Sequence, residues 1–121
     1  MAHNFRELEV WKRSMSLAKK IYIATREYPS EEKFGLSSQI QRAVISIASN
    51  IAEGAGRGSD KDFAHFLNIA LGSAFEVETQ ILLANDLGYI SQDVLENILQ
   101  EIHVIQPQLN ALIKKYNIEE K

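Results

Sequence analysis

The stretch that decides the fold is residues 37–58, SSQIQRAVISIASNIAEGAGRG. Ile40, Val44, Ile47, Ile51 and Gly54 recur at steps of three and four, the spacing of side chains along one face of an α-helix. Gly54, Gly56 and Gly58 then crowd its end and read as the stop. Ser37 or Ser38 starts it, with Ser38 and Gln41 at capping-box spacing. At ~100° per residue, Arg42, Ser46, Ser49, Asn50, Glu53 and Arg57 share one polar band, while Ala43, Ile45, Ala48 and Ala52 widen the apolar side to about 200°. So wide an arc calls for cover on two sides. Its surplus stripe, Ile45, Ala48 and Ala52, is therefore expected at an oligomer interface; the alternative is that the alanines only let helices pack closely within one protomer.

Three other segments carry the same period. Before the quoted run, Leu8, Trp11, Met15, Ala18, Tyr22 and Thr25 form a stripe over residues 5–26, with Asn4 and Glu7 as a possible capping box. Tyr28 to Gly35 breaks the pattern and reads as the longest loop, Pro29 forcing Tyr28 out of helical geometry. After the run, Ser59 caps a helix over 59–87 through Phe63, Leu67, Ala70, Ala74, Val77, Ile81 and Ala84, and Gly88 stops it. Ser91 starts a fourth over 91–116 through Leu95, Ile98, Ile102, Ile105, Leu109, Leu112 and Tyr116, with Ile90 and Leu95 spaced as a staple and Pro107 predicting a kink. Tight second and third connections imply that neighbours run antiparallel. The expected fold is all-α: one left-handed, up-down-up-down four-helix bundle spanning residues 1–121.

Composition agrees. The 121 residues are 45% hydrophobic and 24% charged, with 6 Gly and 2 Pro, too apolar for disorder and too poor in breakers for a turn-rich β protein. No cysteine is present, which removes disulfides, thiolate metal sites and thiol catalysis, and suits the cytoplasm. No secretory h-region and no run of ~20 apolar residues is evident, so no membrane span is expected.

Enzymatic chemistry finds little support. The polar band of the second helix has serines, an asparagine and a glutamate but no histidine, and no triad spacing. Its arginine and glutamate read instead as a structural network: Glu78, set beside the apolar stripe of the third helix, needs a partner if buried. Arg42 is the expected partner, with Glu76 as its other candidate. Gly54 to Gly58 lacks both the GxGxxG context and the Lys–Ser/Thr of a phosphate loop. Asp62 and His65 have the spacing of a di-iron pair but lack the second such motif and the further carboxylates. His3 and His103 stand unaccompanied, so no metal or cofactor is expected. Helical ribonucleases with Arg and His separated by four to six residues are excluded, since neither His65 nor His103 has such an arginine upstream.

Charge is unevenly spread. Residues 1–58 carry 9 Lys/Arg against 6 Asp/Glu, and residues 59–121 carry 4 against 10, so a net −3 conceals halves of +3 and −6. Lys12, Arg13, Lys19, Lys20 and Arg26 lie off the apolar face of the first helix and make a candidate phosphate-binding strip. The alternative is an ordinary solvated face balanced by Glu9 and Glu27. Self-association between unlike faces is also compatible with the split.

Phe34 to Ala43, then Ser46 to Gly54 with its SNIAEG block, and Arg57 resemble the signature of bacterial four-helix-bundle proteins encoded in 23S ribosomal RNA intervening sequences. Phe63, Phe66, Leu67, Ile69, Ala70, Gly72, Ser73, Glu76, Glu78 and Leu87-Gly88-Tyr89 are similar to that family too, as are Phe5, Leu8 and Val10-Trp11. The resemblance implies an antiparallel bundle assembled into a homopentameric ring, with the SNIAEG residues structural. A related branch, the accessory variability determinants of diversity-generating retroelements, forms a basic ring that binds nucleic acid and a reverse transcriptase; this chain differs in being acidic. Two functional expectations follow. One is a non-enzymatic RNA- or DNA-associated assembly factor; the other is a scaffold or accessory subunit that binds a protein and no nucleic acid.

Overall fold

A computed structural model describes residues 3–117; the ends of the expected 1–121 domain lie outside the described residues. Four helices carry the chain: α1 (Glu9–Thr25), α2 (Leu36–Ala55), α3 (Asp60–Asp86) and α4 (Gln92–Tyr116), with no strand among the described residues. The protein is all-α. α2 packs on α1 and α3, and α4 packs on α3 and α1, so α1 and α3 occupy opposite corners. One buried cluster draws on all four helices, with Leu17, Ile21, Ile40, Ile47, Ile51, Leu67, Ile81, Ile102 and Leu109 fully enclosed.

Several ends differ from the sequence reading. Residues 5–7 form a separate 3-10 turn, because Leu8 is extended (φ −74°, ψ 126°) and α1 begins at Glu9. Asn4 Oδ1 accepts from the Arg6 amide at 3.3 Å, in place of the expected pairing with Glu7. The turn brings the Phe5 ring edge-on to Trp11, 5.2 Å away, and burial of that pair outweighs an extra helical turn. Within the 28–35 connection a second 3-10 turn, Ser30–Glu32, aims the Glu32 carboxylate at the start of α2. Glu32 Oε1 accepts from the Leu36 amide at 3.0 Å, and Oε2 accepts from the Tyr89 hydroxyl at 2.9 Å. Those two bonds hold Glu32 below the usual carboxylate range. With the cap supplied from outside, α2 starts at Leu36, and the expected box of Ser38 and Gln41 does not form. Beside it Tyr28 lies 5.5 Å from Tyr89, ring to ring, and burial pushes its hydroxyl up to about 12.

Gly54 is not a stop. It lies inside α2, where an added Cβ would sit 2.6 Å from Phe66 Cβ and 3.1 Å from Phe63 Cδ1, so the absent side chain is what lets α3 close on α2. The left-handed glycine is Gly88 (φ 80°). There the Tyr89 amide donates to Ala84 O and the Gly88 amide to Asn85 O, both at 2.9 Å, ending α3 as expected. The Ser59 and Ser91 hydroxyls accept from the Asp62 and Val94 amides at 3.1 and 3.2 Å, as their positions suggest. α4 runs unbroken through Pro107.

The core face of α1 is also displaced. Val10, Ser14, Leu17, Ile21 and Ala24 are buried, whereas Met15 and Tyr22 of the expected stripe are exposed. Ser14, though polar, is fully buried at no cost of an unmet bond, because its hydroxyl donates to Val10 O at 2.7 Å. Finally, α3 is long and apolar enough to cross a bilayer by length and composition, contrary to expectation, though a third of that stretch is buried in the bundle. Its outer face is apolar as well, with Ile69, Phe75, Leu82 and Leu83 exposed.

Candidate functional site

The five cations on α1 and at its C-cap, Arg26, do not act as one strip. Arg13 Nε lies 3.1 Å from Glu9 Oε2, and its Nη1 lies 3.5 Å from Glu101 on α4. Lys20 Nζ donates to Asn97 Oδ1 at 2.8 Å, with Glu101 4.0 Å away. These two fasten α1 to α4. Lys12, Lys19 and Arg26 recur every seven residues, are exposed, and form no ion pair among the described residues. At 1.5 Å per residue they extend over ~21 Å of helix, a row pointing away from the core.

The surplus stripe of α2 meets an unexpected neighbour. Gln41 Nε2 donates to Thr25 Oγ1 at 3.0 Å, which fixes the register of α2 on α1. Ile45, Ala48 and Ala52 follow Gln41 on the same face of α2, as Met15, Ala18 and Tyr22 precede Thr25 on the same face of α1. The outer stripe of α1 and the surplus stripe of α2 thus lie along one groove. Ala48 is only 5% exposed, covered within the protomer, and Ala52 is half-buried. Met15, Tyr22 and Ile45 remain 40–47% exposed.

In the polar band of α2 the partners differ from those expected. The Asn50 amide donates to Ser46 O and Oγ at 2.8 and 2.9 Å, and the Ser73 hydroxyl donates to Ser46 Oγ at 2.9 Å, tying α2 to α3. Arg57 Nη2 meets Glu53 Oε2 at 2.7 Å, and its guanidinium lies 4.8 Å above the Phe66 ring. Ser49 is exposed and outside these bonds. Arg42 does not reach Glu78; with Gln39, Ala43, Ser46 and Glu76 it lines an open groove of about 250 Å³. The reason is angular: Ser73 faces α2, and Glu78 lies five residues on, well around the helix, facing α4.

There Glu78 accepts from His103 Nε2 at 2.9 Å and from Gln106 Nε2 at 2.8 Å. The bond from His103, then that from Gln106, holds the Glu78 carboxyl below the usual range against the opposing effect of burial. His103 is therefore not unaccompanied. The signal was available: reflecting the chain about the α3–α4 turn near residue 90 brings positions 78 and 103 level. His3 packs with the Phe63 and Tyr116 rings in a three-ring cluster, 4.7 and 5.1 Å from them and they 4.9 Å from each other; its ring Nε2 lies 3.8 Å from Asp60 Oδ1 and its backbone amide donates to Ala55 O at 2.7 Å. Among the described residues no three or more His, Asp or Glu gather in a way that could hold a metal. An apolar cavity of about 570 Å³ opens between the end of α1 and the start of α4, floored by Ile23, Ala24, Ile90, Val94 and Ile98.

This bundle, with the Ser46 to Gly54 run locked on α3 through Ser46 and Gly54, matches a family model described as the 23S rRNA-intervening sequence protein over residues 6–111. The chain belongs to that family. A solved member of the S23 ribosomal protein family from Bacteroides thetaiotaomicron, itself of unknown function, is 32% identical. The match covers 87% of this chain and 98% of that one, with a TM-score of 0.78. No curated protein matches. In this member of the family, the signature residues of α2 build the α2–α3 junction, and the row of free cations lies on another helix.

Proposed function

We propose that this intervening-sequence protein is a non-enzymatic, self-associating cytoplasmic subunit that binds nucleic-acid phosphates through Lys12, Lys19 and Arg26. The fold underlying it is an antiparallel, left-handed bundle. Antiparallel order is supported by partners whose numbers run in opposite directions, Arg13 with Glu101 and Lys20 with Asn97, Ser46 with Ser73 and Gly54 with Phe66. Assembly into a homopentamer would present the cation row several times, which offsets the acidic net charge locally. The observation that carries the reading is the division among the cations of α1 and its C-cap: Arg13 and Lys20 are neutralised on α4, and Lys12, Lys19 and Arg26 in one row are left to solvent.

Fluorescence anisotropy with labelled RNA and duplex DNA over a salt series tests it. Three neutralised phosphates per protomer give a slope of about −2.7 in log affinity against log salt on duplex DNA. Reversing Lys12, Lys19 and Arg26 to Glu should abolish binding, while reversing Arg6, Lys33 and Lys114 should not. Binding that survives the first set, or no binding at low salt, overturns the reading.

A further inference from the structure

We infer that the subunit assembles head to tail, the groove between α1 and α2 of one copy seating on the outer face of α3 of the next. The inference rests on the self-association in the proposed function and adds which surfaces meet. Along α3, Phe75 and Leu82 form one exposed ridge, and Ile69 and Leu83, with Glu76 midway between them in the same seven-residue row, form another; the four apolar side chains are each 41–51% exposed. Between the ridges run Gly72 and Thr79, and a Cβ built on Gly72 meets nothing within 4 Å. Two ridges flanking a low centre make a trough that accepts a ridge from another helix. α1 supplies one: Met15 and Tyr22, seven residues apart, with Ile45 of α2 beside them.

The two surfaces cannot meet within one chain, because α1 and α3 hold opposite corners of the bundle. A second copy is the occupant that charge favours. The half containing α1 and α2 carries +3 and the half containing α3 and α4 carries −6. Like halves of two copies repel, whereas unlike halves attract. Contact between different surfaces on the same molecule is heterologous and closes into a ring if its rotation allows. Such a contact explains why α3 carries apolar residues around its whole circumference.

Sedimentation velocity on two variants and their mixture tests the inference. Met15→Glu with Ile45→Glu spoils the groove, and Gly72→Glu fills the trough from a position where a side chain enters open space; circular dichroism checks that each folds. Wild type should sediment as an oligomer and each variant alone as the 13.7 kDa chain. Mixed in equal amounts, the variants should form a dimer, because one intact groove and one intact trough remain. Dimers of the groove variant alone would point to α3 meeting α3 and overturn the inference. So would variants that both stay fully assembled, although self-association would then stand. A monomeric wild type would overturn self-association itself, and the inference with it.

Discussion

Gly54→Ala should destabilise the bundle, although alanine is the better helix former. The new methyl would lie 2.6 Å from Phe66 Cβ, 3.1 Å from Phe63 Cδ1 and 3.3 Å from Phe63 O. The nearest of these atoms is rigidly tied to the α3 backbone, and the third is backbone itself, so α3 must move outward. Overpacking of this kind costs about 1–3 kcal/mol. The helix propensity gain is at most ~1 kcal/mol, and less here because Gly54 is the penultimate residue of α2. A net loss of about 1–2 kcal/mol follows. Gly72→Ala is the control, both variants being compared in the Met15→Glu, Ile45→Glu background where the α3 trough has no occupant, since Gly72 lies mid-helix in α3 with open space around the added Cβ. It should gain up to ~1 kcal/mol. Urea unfolding at one fixed protein concentration reads both, because assembly makes stability concentration-dependent. With a slope of about 1–2 kcal/mol/M, the two midpoints should differ by roughly 1–2 M. If Gly54→Ala unfolds at or above the midpoint of that background, the close approach of α2 and α3 is not what requires the glycine.

The Glu78 carboxyl titrates below its usual range in the folded protein, so its bonds to His103 and Gln106 stabilise the fold above the unfolded carboxyl pKa and are lost as pH falls through the folded value. Thermal melts from pH 6 down to 3 should show a smaller acid-induced drop for Glu78→Gln than for wild type; equal drops would assign that loss to other carboxylates. Arg42 is exposed and makes no ion pair with Glu78, so Arg42→Ala should change stability by no more than ~0.5 kcal/mol in denaturant titration. A larger loss would restore the buried network that the sequence suggested.

Helix number, order and two of the three connections were legible because each rests on local chemistry. Ser59 and Ser91 cap, Gly88 turns left-handed, and long periodic stripes fill α3 and α4 without competition from other signals. The ends that misled are those where a distant residue does a local job. Glu32 satisfies the first amide of α2 from the preceding turn, so the serines meant to cap it are spent inside the helix. Gly54 reads as a terminator by type, yet its role is set by Phe63 and Phe66 across the α2–α3 contact. No periodicity within one segment carries that information.

Polar pairing was harder to read than packing, for a geometric reason. Arg42 and Glu78 are nearly level once the chain is folded back at Ser59, so distance along the axis favoured them; rotation about the axis decided otherwise. The two displaced apolar stripes are more informative than either alone. Reading Leu8, Trp11, Met15, Ala18 and Tyr22 as core, and Ile45, Ala48 and Ala52 as surplus, split one surface into two. Joined in the register set by Thr25 and Gln41, they cover Ala48 within the protomer and leave Met15, Tyr22 and Ile45 as residue. The width of the α2 arc therefore supports a partner less than it seemed to. The stronger case has moved to α3, where Phe75, Leu82 and Leu83 remain 42–51% exposed. An apolar circumference argues for a second copy only after the neighbours inside the chain have taken their share.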